Sequence, residues 1–191
     1  MDSALIVSGS EKSRAALADL ARLSGLTSQG AGSGSDARRL LAEHFYDLVI
    51  INSPLPDEYG TELAITASES FCGVMLIVKT ENADEISDKV ENFGVFVVEK
   101  PISRQIFFRT IRMAGVQLGR MRGLQKENLK LKNKIEEIRL VDRAKCLLIQ
   151  FEEMTESEAH RYIEKRAMDQ RVSRLQVAQE ILRTYEEQGN C

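Results

Sequence analysis

The chain has 191 residues, 43% of them hydrophobic and 29% charged, with a formal net charge of −3, which is room for one large domain or two small ones of ordinary soluble composition. No apolar run is long enough to span a bilayer, and the N-terminus MDSALIVSGSE has no basic segment and turns polar after Val7, so neither a membrane span nor a signal peptide is expected. The three cysteines, Cys72, Cys146 and Cys191, are odd in number and far apart, which argues against a disulfide framework or a metal cluster and fits a reducing cytoplasm.

The first hundred residues alternate strand and helix signals. Ala4–Val7 is a short apolar run closed by Ser-Gly-Ser, a first strand. Glu11–Ser24 carries Ala15, Leu17, Ala18, Leu20, Ala21 and Leu23 at helical spacing, with Gly25 as a C-cap. The Gly/Ser-rich segment Gln29–Ser35 is a weak second strand or a loop, and Ser35 is expected to N-cap a short helix ending at His44. Leu48–Ile51 is a third strand, Thr61–Ser70 a helix, Val74–Val78 a fourth strand, Ala83–Asn92 a helix and Val95–Val98 a fifth strand. Pro101 then opens a helix over Ser103–Val116. Short, wholly apolar strands alternating with helices predict a parallel sheet covered on both faces, an α/β flavodoxin-like fold whose functional groups gather at the carboxyl ends of the strands.

Residues 1 to about 115 resemble the receiver domains of response regulators (CheY-like). That resemblance implies an acidic pair after the first strand, a nucleophilic aspartate at the end of the third, a hydroxyl at the end of the fourth and a lysine after the fifth. Phosphoryl transfer to a carboxylate needs this metal-holding set. Here the first place reads Ser8-Gly9-Ser10 and the nucleophile place reads Asn52. The hydroxyl place falls on Val78 or Thr80, and Lys100-Pro101 alone remains. An amide is a poor nucleophile and brings no charge to hold magnesium. The expectation is a degenerate pocket of Ser8, Gly9, Asn52 and Lys100 in a pseudo-receiver that is not phosphorylated there and binds no metal or cofactor.

From Met121 the apolar residues recur at alternating spacings of three and four. Written as heptads, Met121, Asn128, Ile135 and Asp142 fall at a, and Leu124, Leu131 and Ile138 at d. A lone Asn at a with Leu at d is the pattern of parallel two-stranded coiled coils. A dimer through Leu124, Asn128, Leu131, Ile135 and Ile138 is therefore expected, with this stretch a helical connector that Gly115, Gly119 and Gly123 allow to bend. The charge supports separate modules: residues 1–99 hold 7 basic against 16 acidic side chains, 100–150 hold 13 against 4, and 151–191 hold 6 against 9. A basic middle attracts phosphate backbones.

Residues 136–191 read as three amphipathic helices able to form a small bundle. The first presents Ile138, Val141, Ala144, Leu147, Leu148 and Phe151; the second opens on a capping box, Thr155 to Glu158; the third starts near Ser173 and presents Leu175, Val177, Ala178, Ile181 and Leu182. Tyr162, an aromatic at apolar helical spacing, is expected in the core. The segment from about Arg139 to Leu182 resembles the ANTAR domain: Ala144-Lys145 with Leu148, Met154-Thr155-Glu156, Glu158-Ala159, Ala167-Met168-Asp169, and Val177-Ala178 before Ile181-Leu182. It departs at Cys146, where a small Gly is common, and at His160, where Tyr is common.

The resemblance implies binding to paired hairpins with hexanucleotide loops in nascent leader RNA, and transcription antitermination. RNA loops expose unstacked bases that side chains can read, and basic residues supply phosphate contacts. The expected surface is Arg143, Lys145, His160, Arg161, Lys165, Arg166, Gln170, Arg171 and Arg174. The expected organisation is a pseudo-receiver over 1–115, a coiled-coil connector over 116–138 and an ANTAR domain over 139–191. The whole is a cytoplasmic, non-enzymatic homodimer whose partners are a two-hairpin mRNA leader, RNA polymerase indirectly, or a sequestering protein. The alternatives are a DNA-binding transcription factor, since a three-helix bundle can hold a helix-turn-helix, and a protein-interaction adaptor using the pseudo-receiver.

Overall fold

The computed structural model describes residues 1–70 and 72–188, so Cys191 lies outside the described residues. Five strands, β1 (Ser3–Val7), β2 (Thr27–Ala31), β3 (Leu48–Asn52), β4 (Gly73–Lys79) and β5 (Val95–Lys100), form one parallel sheet in the order β2-β1-β3-β4-β5. The helices between them are α1 (Glu11–Leu23), α2 (Gly34–Glu43), α3 (Thr61–Glu69) and α4 (Ala83–Val90), the last extended by a 3-10 turn over Glu91–Phe93. They are followed by α5 (Arg104–Phe151), α6 (Glu156–Gln170) and α7 (Arg174–Gln188).

Strand alternation sorts the apolar residues into two cores. Leu5, Val7, Val49, Ile51, Leu76 and Val78 point to the face that packs on Ala37 and Leu40 of α2, Leu63, Ala64 and Ala67 of α3, and Ile86 and Val90 of α4. Ala4, Ile6, Leu48, Ile50, Met75 and Ile77 point to the other, against Leu17 and Ala21 of α1 and Phe107, Ile111 and Ala114 of α5. A strand buried on both faces has no polar positions, which is why β1, β3 and β4 read as unbroken apolar runs. Burying each Leu or Ile stabilises the fold by roughly 1.5–3 kcal/mol. The uncertain segment near Gln29 is a true strand, β2, but an edge one that exposes four of its five residues; its polar sequence TSQGA follows from that place.

The N-cap of α2 is Ser33, correcting the expectation of Ser35: the Ser33 hydroxyl accepts from the Asp36 N–H at 3.1 Å. Ser35 is occupied elsewhere, its N–H and hydroxyl both donating to Asp57 at 2.9 Å. His44 follows the end of α2 as expected.

The chain divides into two compact units, Met1–Leu124 and the residues from Gln125 onward. The second unit has its own core, built from Ala144 and Leu148 of α5, Ala159, Ile163 and Ala167 of α6, and Val177, Ala178 and Ile181 of α7. Four of those eight positions are alanines, which lets the helices approach closely. The expected capping box is present at α6, with Glu158 accepting from the Thr155 N–H at 2.8 Å. A similar reciprocal pair opens α7: the Gln176 side chain accepts from the Ser173 N–H at 3.0 Å and the Ser173 hydroxyl from the Gln176 N–H at 3.2 Å. The receiver-like helix, the heptad segment and the first bundle helix are one continuous helix, α5, and Gly115, Gly119 and Gly123 do not interrupt it.

Candidate functional site

The carboxyl ends of the strands bring the four pocket residues of the first unit together. Ser8 is fully buried at the end of β1 and its hydroxyl accepts from the Asn52 side-chain amide at 3.0 Å. The Lys100 ammonium donates to the Ser53 carbonyl. Burial and the neighbouring Lys79 both push the Lys100 ammonium below its ordinary value. Gly9 lies under the Pro56 ring, and a Cβ there would stand 2.8 Å from its Cγ. Val78 is buried in β4, and Thr80 leaves the strand and donates from its hydroxyl to the Lys100 carbonyl at 3.1 Å.

The nearest acidic side chains after β3 are engaged elsewhere. Asp57 accepts from the Gly34 N–H at 2.8 Å and from Ser35, and those bonds hold its carboxyl down at about 2. Glu58 meets the Arg38 guanidinium through both oxygens at 2.7 Å. Both carboxylates therefore secure the loop after β3 to the start of α2. Gly60, at φ 98°, turns that loop into α3 where a Cβ would come within 2.9 Å of Ile51. Among the described residues no group of three or more His, Cys, Asp or Glu is placed to hold a metal ion. Cys72 is buried, and burial pushes its thiol up to about 11, well away from a reactive thiolate.

In the second unit the basic residues fall into two groups. Lys145 is nearly enclosed and pairs with Asp142 at 2.8 Å and with Glu156 of α6 at 3.3 Å. Arg166 joins the Tyr162 hydroxyl and Glu180 of α7, both at 3.2 Å. Arg174 of α7 reaches Glu137 of α5 at 3.4 Å and Glu164 of α6 at 3.5 Å. These three cations bind the helices to one another. His160 lies 3.3 Å from Glu164, and Arg143 is exposed on α5. Arg161, Lys165, Gln170 and Arg171 are exposed, and their side chains make no hydrogen bond or ion pair among the described residues. Arg171 ends α6 in the left-handed conformation, at φ 55°.

Tyr162 is not a core residue, correcting its expected place: it is 38% exposed beside Arg166, and Ile163 takes the core position next to it. Its phenol needs a polar partner, which the Arg166 guanidinium supplies at the surface. Tyr162, Arg161 and Lys165 line a shallow cleft of about 450 Å³ whose other walls include Glu152, Glu153 and Glu158. Met168, placed in the resemblance by Ala167-Met168-Asp169 but given no site role there, is 78% exposed in the last turn of α6. A large apolar residue at a solvent-facing helical position was the signal. Along α5, Leu124, Leu131, Ile135 and Ile138 are 51–67% exposed and Asn128 is exposed with them.

Residues 129–182 match the family model of the ANTAR domain. Over 170 residues the chain is 28% identical to a protein named transcriptional regulatory protein PdtaR from Mycobacterium tuberculosis, strains CDC 1551 / Oshkosh and ATCC 25618 / H37Rv, covering 88% of this chain and 83% of that one. Among solved structures, the first unit is similar to a response regulator receiver domain protein from Clostridium thermocellum. The TM-score is 0.57 at 17% identity, covering 65% of this chain and 99% of that one. It is also similar to the signal receiver domain of an HD domain-containing protein from Pseudomonas fluorescens Pf-5, with a TM-score of 0.56 at 23% identity, covering 62% and 97%. At those identities the likeness is one of fold. No helix among the described residues is long and apolar enough to cross a membrane.

Proposed function

We propose that this chain, in which a receiver fold precedes an ANTAR domain, is a non-enzymatic transcription antitermination regulator that binds paired hairpin loops in nascent leader RNA as a homodimer. The observation that carries the reading is the placement of Arg161, Lys165, Gln170 and Arg171. They are four exposed polar side chains inside the ANTAR match that the bundle leaves without an intramolecular role among the described residues. Phosphate contact from such groups releases counterions and positions the RNA, and loop bases are read by groups that reach them. Lys145, Arg166 and Arg174 belong to the same surface but act on it mainly by holding α5, α6 and α7 in register. Arg143 and His160 flank it.

The dimer rests on the exposed stripe Leu124, Leu131, Ile135 and Ile138, interrupted at Asn128. A second copy of that helix would cover the stripe, with the two Asn128 side chains fixing register. Two modules in one dimer would match two hairpins, and linkage raises affinity through effective concentration. The receiver fold is not phosphorylated at the usual place, because Asn52 bonds to Ser8 where a metal would need carboxylates. Control would then come from a sequestering protein or from dimerisation, with RNA polymerase affected indirectly through the leader.

The test compares binding of the full chain to a two-hairpin RNA with hexanucleotide loops and to duplex DNA of equal length, each over a range of salt. A clear preference for the RNA is expected. Lys165→Ala should weaken binding across sequences and lower the log–log salt slope by about 1. Equal affinity for unrelated RNA, or preference for the DNA, overturns the reading.

A further inference from the structure

On α6, Met168 exposes 78% of its surface and stands in the last turn of the helix. Lys165 precedes it by three residues and Arg161 by seven, and Arg171 follows by three at the helix end. Those spacings put the three cations around the thioether on one face. All three are exposed and unpaired among the described residues. Asp169, the adjacent carboxylate, is turned about 100° away round the helix. Glu164, four residues before Met168 and so on the same face, is engaged by Arg174 at 3.5 Å and lies 3.3 Å from His160. The result is an exposed thioether on a face that carries three unpaired cations and one carboxylate, Glu164, already engaged by Arg174.

We infer that Met168 packs against an unstacked base of the RNA loop while Arg161, Lys165 and Arg171 hold the flanking phosphates, an inference that rests on the RNA-binding reading above. The charge pattern favours Met168 over Tyr162 as the platform. Tyr162 opens onto a cleft in which the three carboxylates of Glu152, Glu153 and Glu158 outnumber the cations Arg161 and Lys165, and its hydroxyl is held by Arg166. Lys165 and Arg171, both exposed, stand three residues to either side of Met168. A thioether is polarisable and unbranched, so it lies flat against a heterocycle without demanding one base identity. It therefore selects an extruded base over a stacked one, and so a loop over a stem.

The experiment measures the affinity of the full-length wild type and of Met168→Ala and Met168→Leu for the two-hairpin RNA, and for the same RNA with abasic loop nucleotides. Met168→Ala is expected to weaken binding to the intact RNA about tenfold, leave the salt slope unchanged and make no difference on the abasic RNA. Met168→Leu should stay close to wild type. Because the residue is exposed, circular dichroism and melting temperature should match wild type in both variants. An unchanged affinity of Met168→Ala for intact RNA overturns the inference, as does an equal loss on abasic RNA; a protein partner at this face would give the first result. A wild type without preference for hairpin RNA over duplex DNA overturns the parent reading, and that is read before any variant is made.

Discussion

The Asn52 amide, at the end of β3, donates to the buried Ser8 hydroxyl after β1 across 3.0 Å, a neutral hydrogen bond between two strand ends. Asn52→Asp would create one carboxylate beside a serine and a glycine, and Asp57 and Glu58 are already bound to α2. The expected outcome is no phosphate incorporation from acetyl phosphate with magnesium, checked by intact mass. A mass gain of one phosphoryl group would reveal a metal site built from other residues.

Asp57 fastens the loop after β3 to the first N–H groups of α2, and those bonds hold its pKa at about 2 against an ordinary 3.8. A depressed carboxylate contributes stability that is present above the unfolded value and is lost as pH falls through the folded one. Acid should therefore loosen this part of the first unit between about pH 4 and pH 2. Asp57→Ala should lower the melting temperature at neutral pH and flatten the melting curve's dependence on pH in that window. Thermal scans at stepped pH check both, and an unchanged pH profile would remove Asp57 from this role.

Ile135 lies within the exposed stripe on α5, at an a position, and Glu there would put like charges face to face in a pair of helices. Each apolar residue covered at a dimer seam contributes roughly 1.5 kcal/mol or more. Ile135→Glu is expected to shift the mass in solution from dimer to monomer and to leave the first unit's melting unchanged. A wild type that is monomeric with and without RNA counts against the coiled coil itself.

Arg171 occupies a left-handed backbone position, φ 55°, at the end of α6, which glycine adopts without a Cβ penalty. Arg171→Gly should raise the stability of the second unit by up to ~1 kcal/mol, net of the glycine's greater unfolded entropy. The same change removes one of the cations proposed to meet the RNA, so affinity for the hairpin RNA should fall while stability rises. Chemical denaturation and binding titration on one preparation separate the two; weaker binding with lower stability would mean that the arginine is structural.

The sequence by itself determined the parallel sheet, because β1, β3 and β4 are buried on both faces and can carry no polar residue. It also determined the capping box at Thr155 and Glu158, which depends on residues three apart. The amide at Asn52 and the lack of carboxylates at Ser8 and Gly9 were visible in the same way, since strand ends converge in any such sheet. It left β2 uncertain because an edge strand facing solvent needs no apolar pattern. It misplaced Ser35 because the partner that claims it, Asp57, is 22 residues away, and misplaced Tyr162 because periodicity does not report which flank of a helix a neighbour covers. Tertiary structure alone decided which cations hold the bundle and which face outward. Lys145, Arg166 and Arg174 are tied to carboxylates on other helices, whereas Arg161, Lys165 and Arg171 are exposed and unpaired among the described residues. The reason is physical: pairing falls off within a few ångströms, and only the folded chain sets those distances.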